Sequence, residues 1–164
     1  MCGANPPTSD TDECSDWGSA CSPPITPGLT LAKLCATCLT AGANDIHVQV
    51  NEAFKVCNTG NVNISNITIK DCEGGTYSGS TCSGTEVTIT SGVSINAGAP
   101  CQTYSHTYTP TSTGVCTGSN CSLHDEAVAS GTGALGSGTI TSGPPKGADC
   151  TVCPINTTCS TPTF

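Results

Sequence analysis

Cysteine occupies 14 of the 164 positions, and this limits the fold more than any other feature of the sequence. Thiols at such density persist as bridges only in an oxidising compartment, and they help most where a chain builds little core. Only 26 residues are Leu, Ile, Val or Phe, 45 are Ser or Thr, and the formal net charge is −8. That composition borders on disorder. Each bridge restricts the unfolded chain by ~2–4 kcal/mol, which supplies the missing stability. The even count lets every thiol pair, so Cys2, Cys14, Cys21, Cys35, Cys38, Cys57, Cys72, Cys82, Cys101, Cys116, Cys121, Cys150, Cys153 and Cys159 are all expected in disulfides. An extracellular setting follows.

Zinc and thiol redox chemistry fit less well. Cys35-Ala-Thr-Cys38 and Cys150-Thr-Val-Cys153 lie more than a hundred residues apart, far beyond the spacer of a zinc ribbon. Neither pair sits in the βαβ pattern of a thioredoxin-type site. No metal and no cofactor are expected. The acidic run Asp10, Asp12, Glu13 and Asp16 lacks the ligand spacing of a calcium loop and reads as a solvated leader. His47, His106 and His124 read as isolated strand histidines, since no H-E-x-x-H and no nucleophile elbow accompanies them. No catalytic residue is expected, and the chain is read as not an enzyme.

Charge narrows the partners. Four lysines and no arginine cannot neutralise a phosphate backbone, so nucleic acid is excluded. No segment approaches the ~20 apolar residues of a membrane-spanning helix. The start, Met-Cys-Gly-Ala-Asn-Pro-Pro, has neither the charged nor the apolar region of a signal peptide. Export then implies a processed product or a fragment.

Residues 1–28 read as an extended leader set by Pro6-Pro7, Pro23-Pro24 and Pro27. Leu29–Lys33 reads as a short strand, and Ala32–Ala41 is the nearest approach to a helix. The best alternation covers 45–57, with Ile46, Val48, Val50, Phe54 and Val56 on one face. Glu52 interrupts that face, which predicts a bulge or a partnered carboxylate. In the strand expected over 62–71, the phase slip between Ile64 and Ile67 predicts one extra bulge residue. Further strands are expected at 86–95, 101–109, 123–129 and 139–141. Tyr104 and Tyr108 read as core or interface anchors. Such spacing, with Gly/Asn/Pro turns, indicates an all-β fold, an antiparallel β-sandwich of about seven strands over 29–149, with a Cys-containing tail at 150–164.

The stretch Pro27–Lys33, then Val56-Cys57-Asn58-Thr59-Gly60-Asn61 running on to Ile67-Thr68-Ile69-Lys70-Asp71, resembles the conserved-repeat Ig-like domain of bacterial and algal cell-surface proteins. Ile95–Ala99, Tyr104–Pro110 and Ala129–Gly133 are similar too, so the resemblance spans about 27–142. It implies an Ig-like sandwich with a structural role at the cell surface. The family usually occurs in tandem, whereas this chain carries one copy, an insertion at 72–92 and extra cysteines.

Four sequons, at Asn63, Asn66, Asn120 and Asn156, are candidate glycosylation sites; Asn63 and Asn66 flank inward isoleucines and should face outward. Cys72 with Cys82 and Cys116 with Cys121 bracket short loops and are expected to close locally. Cross-linking is expected between the Cys35/Cys38 and Cys150/Cys153 pairs. The leader holds an odd number of cysteines, and Cys159 or a neighbouring subunit is the natural partner. The leading expectation is a protomer of a pilus-like surface fibre, a homopolymer joined by a terminal segment or an exchanged strand. The alternative is a monomeric secreted adhesin or carbohydrate-binding module; a secreted hydrolase is a weak third.

Overall fold

The computed structural model describes residues 24–41, 46–111, 115–117, 120–153 and 158–164. Among these there is no helix. The strands are β1 (Leu29–Ala41), β2 (Ile46–Asn58), β3 (Ile64–Glu73), β4 (Tyr77–Ser78), β5 (Thr81–Cys82), β6 (Thr85–Ile95), β7 (Gln102–Tyr108), β8 (Val115–Thr117), β9 (Asn120–Gly133), β10 (Gly138–Thr141) and β11 (Lys146–Cys153). A smaller sheet has the order β1-β2-β7. A larger one has the order β10-β9-β3-β6, with β8 and β11 also paired to β9. Every pairing is antiparallel.

The period-2 pattern explains which side chains go inward. In β1, Leu29, Leu31 and Lys33 are buried while Thr30 and Ala32 are exposed. In β2, Val50, Glu52, Phe54 and Val56 share the inward phase, and all four are buried. Across from them, Ile67, Ile69 and Asp71 of β3 and Leu123, Asp125, Ala127 and Ala129 of β9 are buried in the same alternation. One cluster joins Leu29, Leu31, Phe54 and Val56 of the smaller sheet to Ile64, Ile67, Ile69, Ile95, Ala127, Ala129 and Ile140 of the larger. Tyr104 packs against it, and Tyr108 packs against a second cluster of Val50, Leu123 and Cys150. Each fully buried isoleucine or phenylalanine contributes roughly 1.5–3 kcal/mol.

The bulge expected between Ile64 and Ile67 is present. The register of β3 slips there against β6, and against β9 between Ser65 and Thr68. Asn66 takes the extra position with φ 52°, a left-handed conformation that asparagine tolerates better than a branched residue. At Glu52 there is no bulge, because β2 keeps continuous register with both neighbours. The helix candidate 32–41 is strand, continuing β1 far beyond the short strand expected at 29–33; thirteen continuous pairs with β2 hold it. β9, Asn120–Gly133, exceeds the strand expected at 123–129. β11 is a strand that the sequence reading did not expect, and it crosses residue 149, where the tail was placed.

The turn Asn58–Asn61 is fastened from two sides. Asn58 Nδ2 donates to the carbonyls of Val62 (2.8 Å) and Ile95 (3.0 Å), and Asn58 Oδ1 accepts from Gly60 N (3.0 Å). Residues 24–28 lie against this turn: Thr26 N donates to Asn61 Oδ1, Asn61 Nδ2 to Pro24 O, and Thr59 N to Gly28 O. The folded unit therefore includes the last five residues assigned to the leader. Gly60 is required by close approach, since a Cβ there would sit 2.3 Å from Thr26 O.

Four bridges are described, Cys35–Cys150, Cys38–Cys159, Cys57–Cys101 and Cys72–Cys82. Cys121 is disulfide-bonded as well; its register partners are Cys116 and Cys153, whose side chains lie outside the described residues. Cys159 does not tie down the leader, because it is taken by Cys38 on the outer face of β1. The C-terminal segment therefore folds back on its own domain. Lys55 Nζ lies 5.6 Å from the centroid of the Phe164 ring, and Ala53, Thr103 and Ser105 share one groove with residues 161–164.

Candidate functional site

The alternation that fills the core also carries four ionisable side chains into it. Lys33 follows Leu29 and Leu31 inward on β1, and Glu52 stands between Val50 and Phe54 on β2. Asp71 follows Ile67 and Ile69 on β3, and Asp125 stands between Leu123 and Ala127 on β9. Their side chains meet where the two sheets face each other, and none is exposed to solvent.

Lys33 Nζ is the centre. It touches Asp71 Oδ1 directly, lies 2.7 Å from Glu52 Oε1 and 4.0 Å from Asp125 Oδ2, and sits 5.4 Å from the Phe54 ring centroid. Asp125 has its own donors: Tyr108 OH at 2.7 Å and Gly74 N at 2.5 Å. Glu52 and Asp71 are served less well. Neither Glu52 oxygen receives an aligned donor, despite the short approach of Nζ, and Asp71 Oδ2 receives none. A buried acceptor left this way costs ~1–3 kcal/mol, more when charged. Protonation relieves that cost.

One ammonium faces three carboxyl groups in a dry space, so the charges cannot all be retained cheaply. Burial pushes Glu52 up to about 9, against the pull of Lys33, with Asp71 and Asp125 adding to the rise. Glu52 is thus the neutral acid at physiological pH. Burial also raises Asp71 above the ordinary carboxylate value, with Lys33 opposing. Burial and the bond to Asp125 raise the Tyr108 hydroxyl, so it remains a donor. The arrangement is an amine, an electrophilic carboxyl and a protonated acid held in contact.

The histidines are not members of this cluster. His106 Nε2 is 2.7 Å from Glu73 Oε1, a contact between β7 and β3. His124 Nδ1 is 2.6 Å from Asp149 Oδ1, and its Nε2 is 3.5 Å from Glu126. Those carboxylates raise the His124 pKa, the bond to Asp149 most. His47 is exposed on β2. The three histidines are not brought together. Among the described residues no group of three or more His, Cys, Asp or Glu side chains is arranged to hold a metal ion.

No family model, curated protein or solved structure matches this chain.

Of the candidate glycosylation sites, Asn63 and Asn66 are exposed, and Asn63 Oδ1 accepts from Ala97 N at 3.0 Å. The side chain of Asn120 lies outside the described residues, as do Asn156 and the acidic run at 10–16. Cys72 and Cys82 close locally as expected, and Cys35 reaches Cys150. Sequence reasoning singled out Glu52 because it broke an apolar face. It passed over Lys33, Asp71 and Asp125, although each continues the inward phase of its own strand.

Proposed function

We propose that the chain is an Ig-like β-sandwich that serves as the protomer of an extracellular fibre, linked to the next copy through its N-terminal segment. Support for the sandwich comes from one core shared by two antiparallel sheets. The described disulfides fit an oxidising environment, and no described helix is long and apolar enough to cross a membrane.

The observation that carries the fibre reading is an open edge. β6 spans eleven residues and, among the described strands of its sheet, is hydrogen-bonded only to β3. The other side of β6 presents a row of backbone groups that a strand from a neighbour satisfies. The C-terminal segment is bound to its own domain through Cys38–Cys159, which leaves residues 1–23 as the connector. Repeated head to tail, such a contact is heterologous and propagates into a filament. Glycans on the exposed Asn63 and Asn66 would project away from the core.

The test is truncation at residue 23, which spares the segment docked on the 58–61 turn. Full-length protein should form filaments visible by electron microscopy, and the truncated form should sediment as a monomer. Filaments of unchanged geometry after truncation would remove the connector role. A full-length chain that stays monomeric at high concentration removes the fibre reading. Deglycosylation with no change in intact mass would remove the glycan part.

A further inference from the structure

We propose that Lys33 and Asp71 become joined side chain to side chain as an amide, a cross-link that the folded protein forms by itself, with Glu52 as the acid–base group. The inference is independent of the fibre reading. It starts from contact: Lys33 Nζ touches Asp71 Oδ1, and both side chains are wholly buried between the sheets. An amine and a carboxyl need only lose water to become an amide, so no oxidant or further reactant is required.

Three features favour that reaction over a resting ion pair. The first is position, since fixing two groups in contact is equivalent to a very high local concentration, worth about 7–11 kcal/mol of barrier in favourable cases. The second is the surroundings. The cluster borders Phe54 and the inward face that holds Leu31, Ile69 and Ala127, so the ion pair lacks the solvation that favours it in water. Burial raises Asp71 above the ordinary carboxylate value, which favours the neutral acid that an amine nitrogen can attack. The third is an acid with no other task. Glu52 is buried, lies 2.7 Å from Nζ and receives no aligned donor.

The step balances. The Nζ lone pair attacks Cγ of Asp71, forming the C–N bond. Glu52 gives its proton to the departing hydroxyl, which leaves as water when the C–O bond breaks. The nitrogen then returns its surplus proton to the Glu52 carboxylate. Glu52 ends as it began, and two charges have left the core. Asp125 is the less favourable partner, because Nζ is 4.0 Å away and both of its oxygens are already held by Tyr108 OH and Gly74 N–H. The amide ties β1 of the smaller sheet to β3 of the larger.

Peptide mapping of the full chain decides the matter. After deglycosylation, reduction and thiol alkylation, trypsin should fail to cut at Lys33. Residues 1–55 and 71–146 should emerge as one branched species, one water lighter than the two linear peptides, with fragmentation placing the branch at Lys33 and Asp71. Linear peptides cut at Lys33 overturn the proposal, and a branch at Glu52 or Asp125 overturns the assignment to Asp71. Asp71→Asn should give the same branched product by releasing ammonia instead of water; an uncrosslinked, folded D71N chain counts against the mechanism. Glu52→Gln should slow formation at least ~100-fold while near-ultraviolet circular dichroism stays native, and an unchanged rate overturns the role of Glu52.

Discussion

Removing the two long-range bridges one at a time and then together tests how the disulfides stabilise this fold. Cys35–Cys150 and Cys38–Cys159 span 115 and 121 residues and interleave, with ends close together along the chain. With either bridge absent, the other still closes almost the same large loop. A single deletion therefore frees only a loop of about a dozen residues, which the chain-entropy relation values at ~3 kcal/mol. Deleting both also opens the large loop, shortened by the Cys57–Cys101 bridge inside it and worth ~4.5 kcal/mol more. The expected losses are about 3 kcal/mol for each single deletion and about 7.5 for both, so the pair exceeds additivity by about 1.5. Both cysteines of a bridge should be changed to alanine to leave no free thiol, and stability read from urea denaturation with the slope monitored. A double deletion that costs no more than the sum of the singles refutes the reasoning. It would mean that local packing at the buried Cys38 and Cys150, and not chain restriction, sets the value of these bridges.

Asn58→Ala removes two donors and one acceptor from the turn, taking a partner from the carbonyls of Val62 and Ile95, so thermal or urea unfolding should show a loss of ~2–3 kcal/mol. Glu52 is raised on folding from 4.5 to about 9, so the native state binds the extra proton throughout that window. Stability should fall as pH rises from 4.5 towards 9 and level off above it, and Glu52→Gln should flatten that slope in denaturation measured across the range. The opposite charge type gives a similar sign at His124, whose raised pKa makes its contribution full below 6.5 and lost as pH climbs through the folded value. Titrating the His124 ring protons by nuclear magnetic resonance should show that rise, and Asp149→Asn should reverse most of it. A His124 pKa that does not respond to D149N would point to another cause.

How much of this was legible beforehand depended on the range over which each signal acts. The sequence by itself determined the all-β character, since an alternation such as Val50, Phe54 and Val56 suits only a strand with one buried face. It also determined a bulge between Ile64 and Ile67, because two inward isoleucines three positions apart cannot otherwise share a face. Glu52 stood out for the same reason, as the one polar residue inside an apolar series. The tertiary structure alone decided what Glu52 meets. Lys33, Asp71 and Asp125 lie on three other strands, and only the packing of one sheet on the other brings them within reach. It also decided that residues 32–41 are strand, through pairing with β2, and that Cys38 takes Cys159. Local periodicity dictates which way a side chain points. The loop-closure cost changes so slowly with length that sequence spacing scarcely separates one distant partner from another, and contact geometry makes the choice.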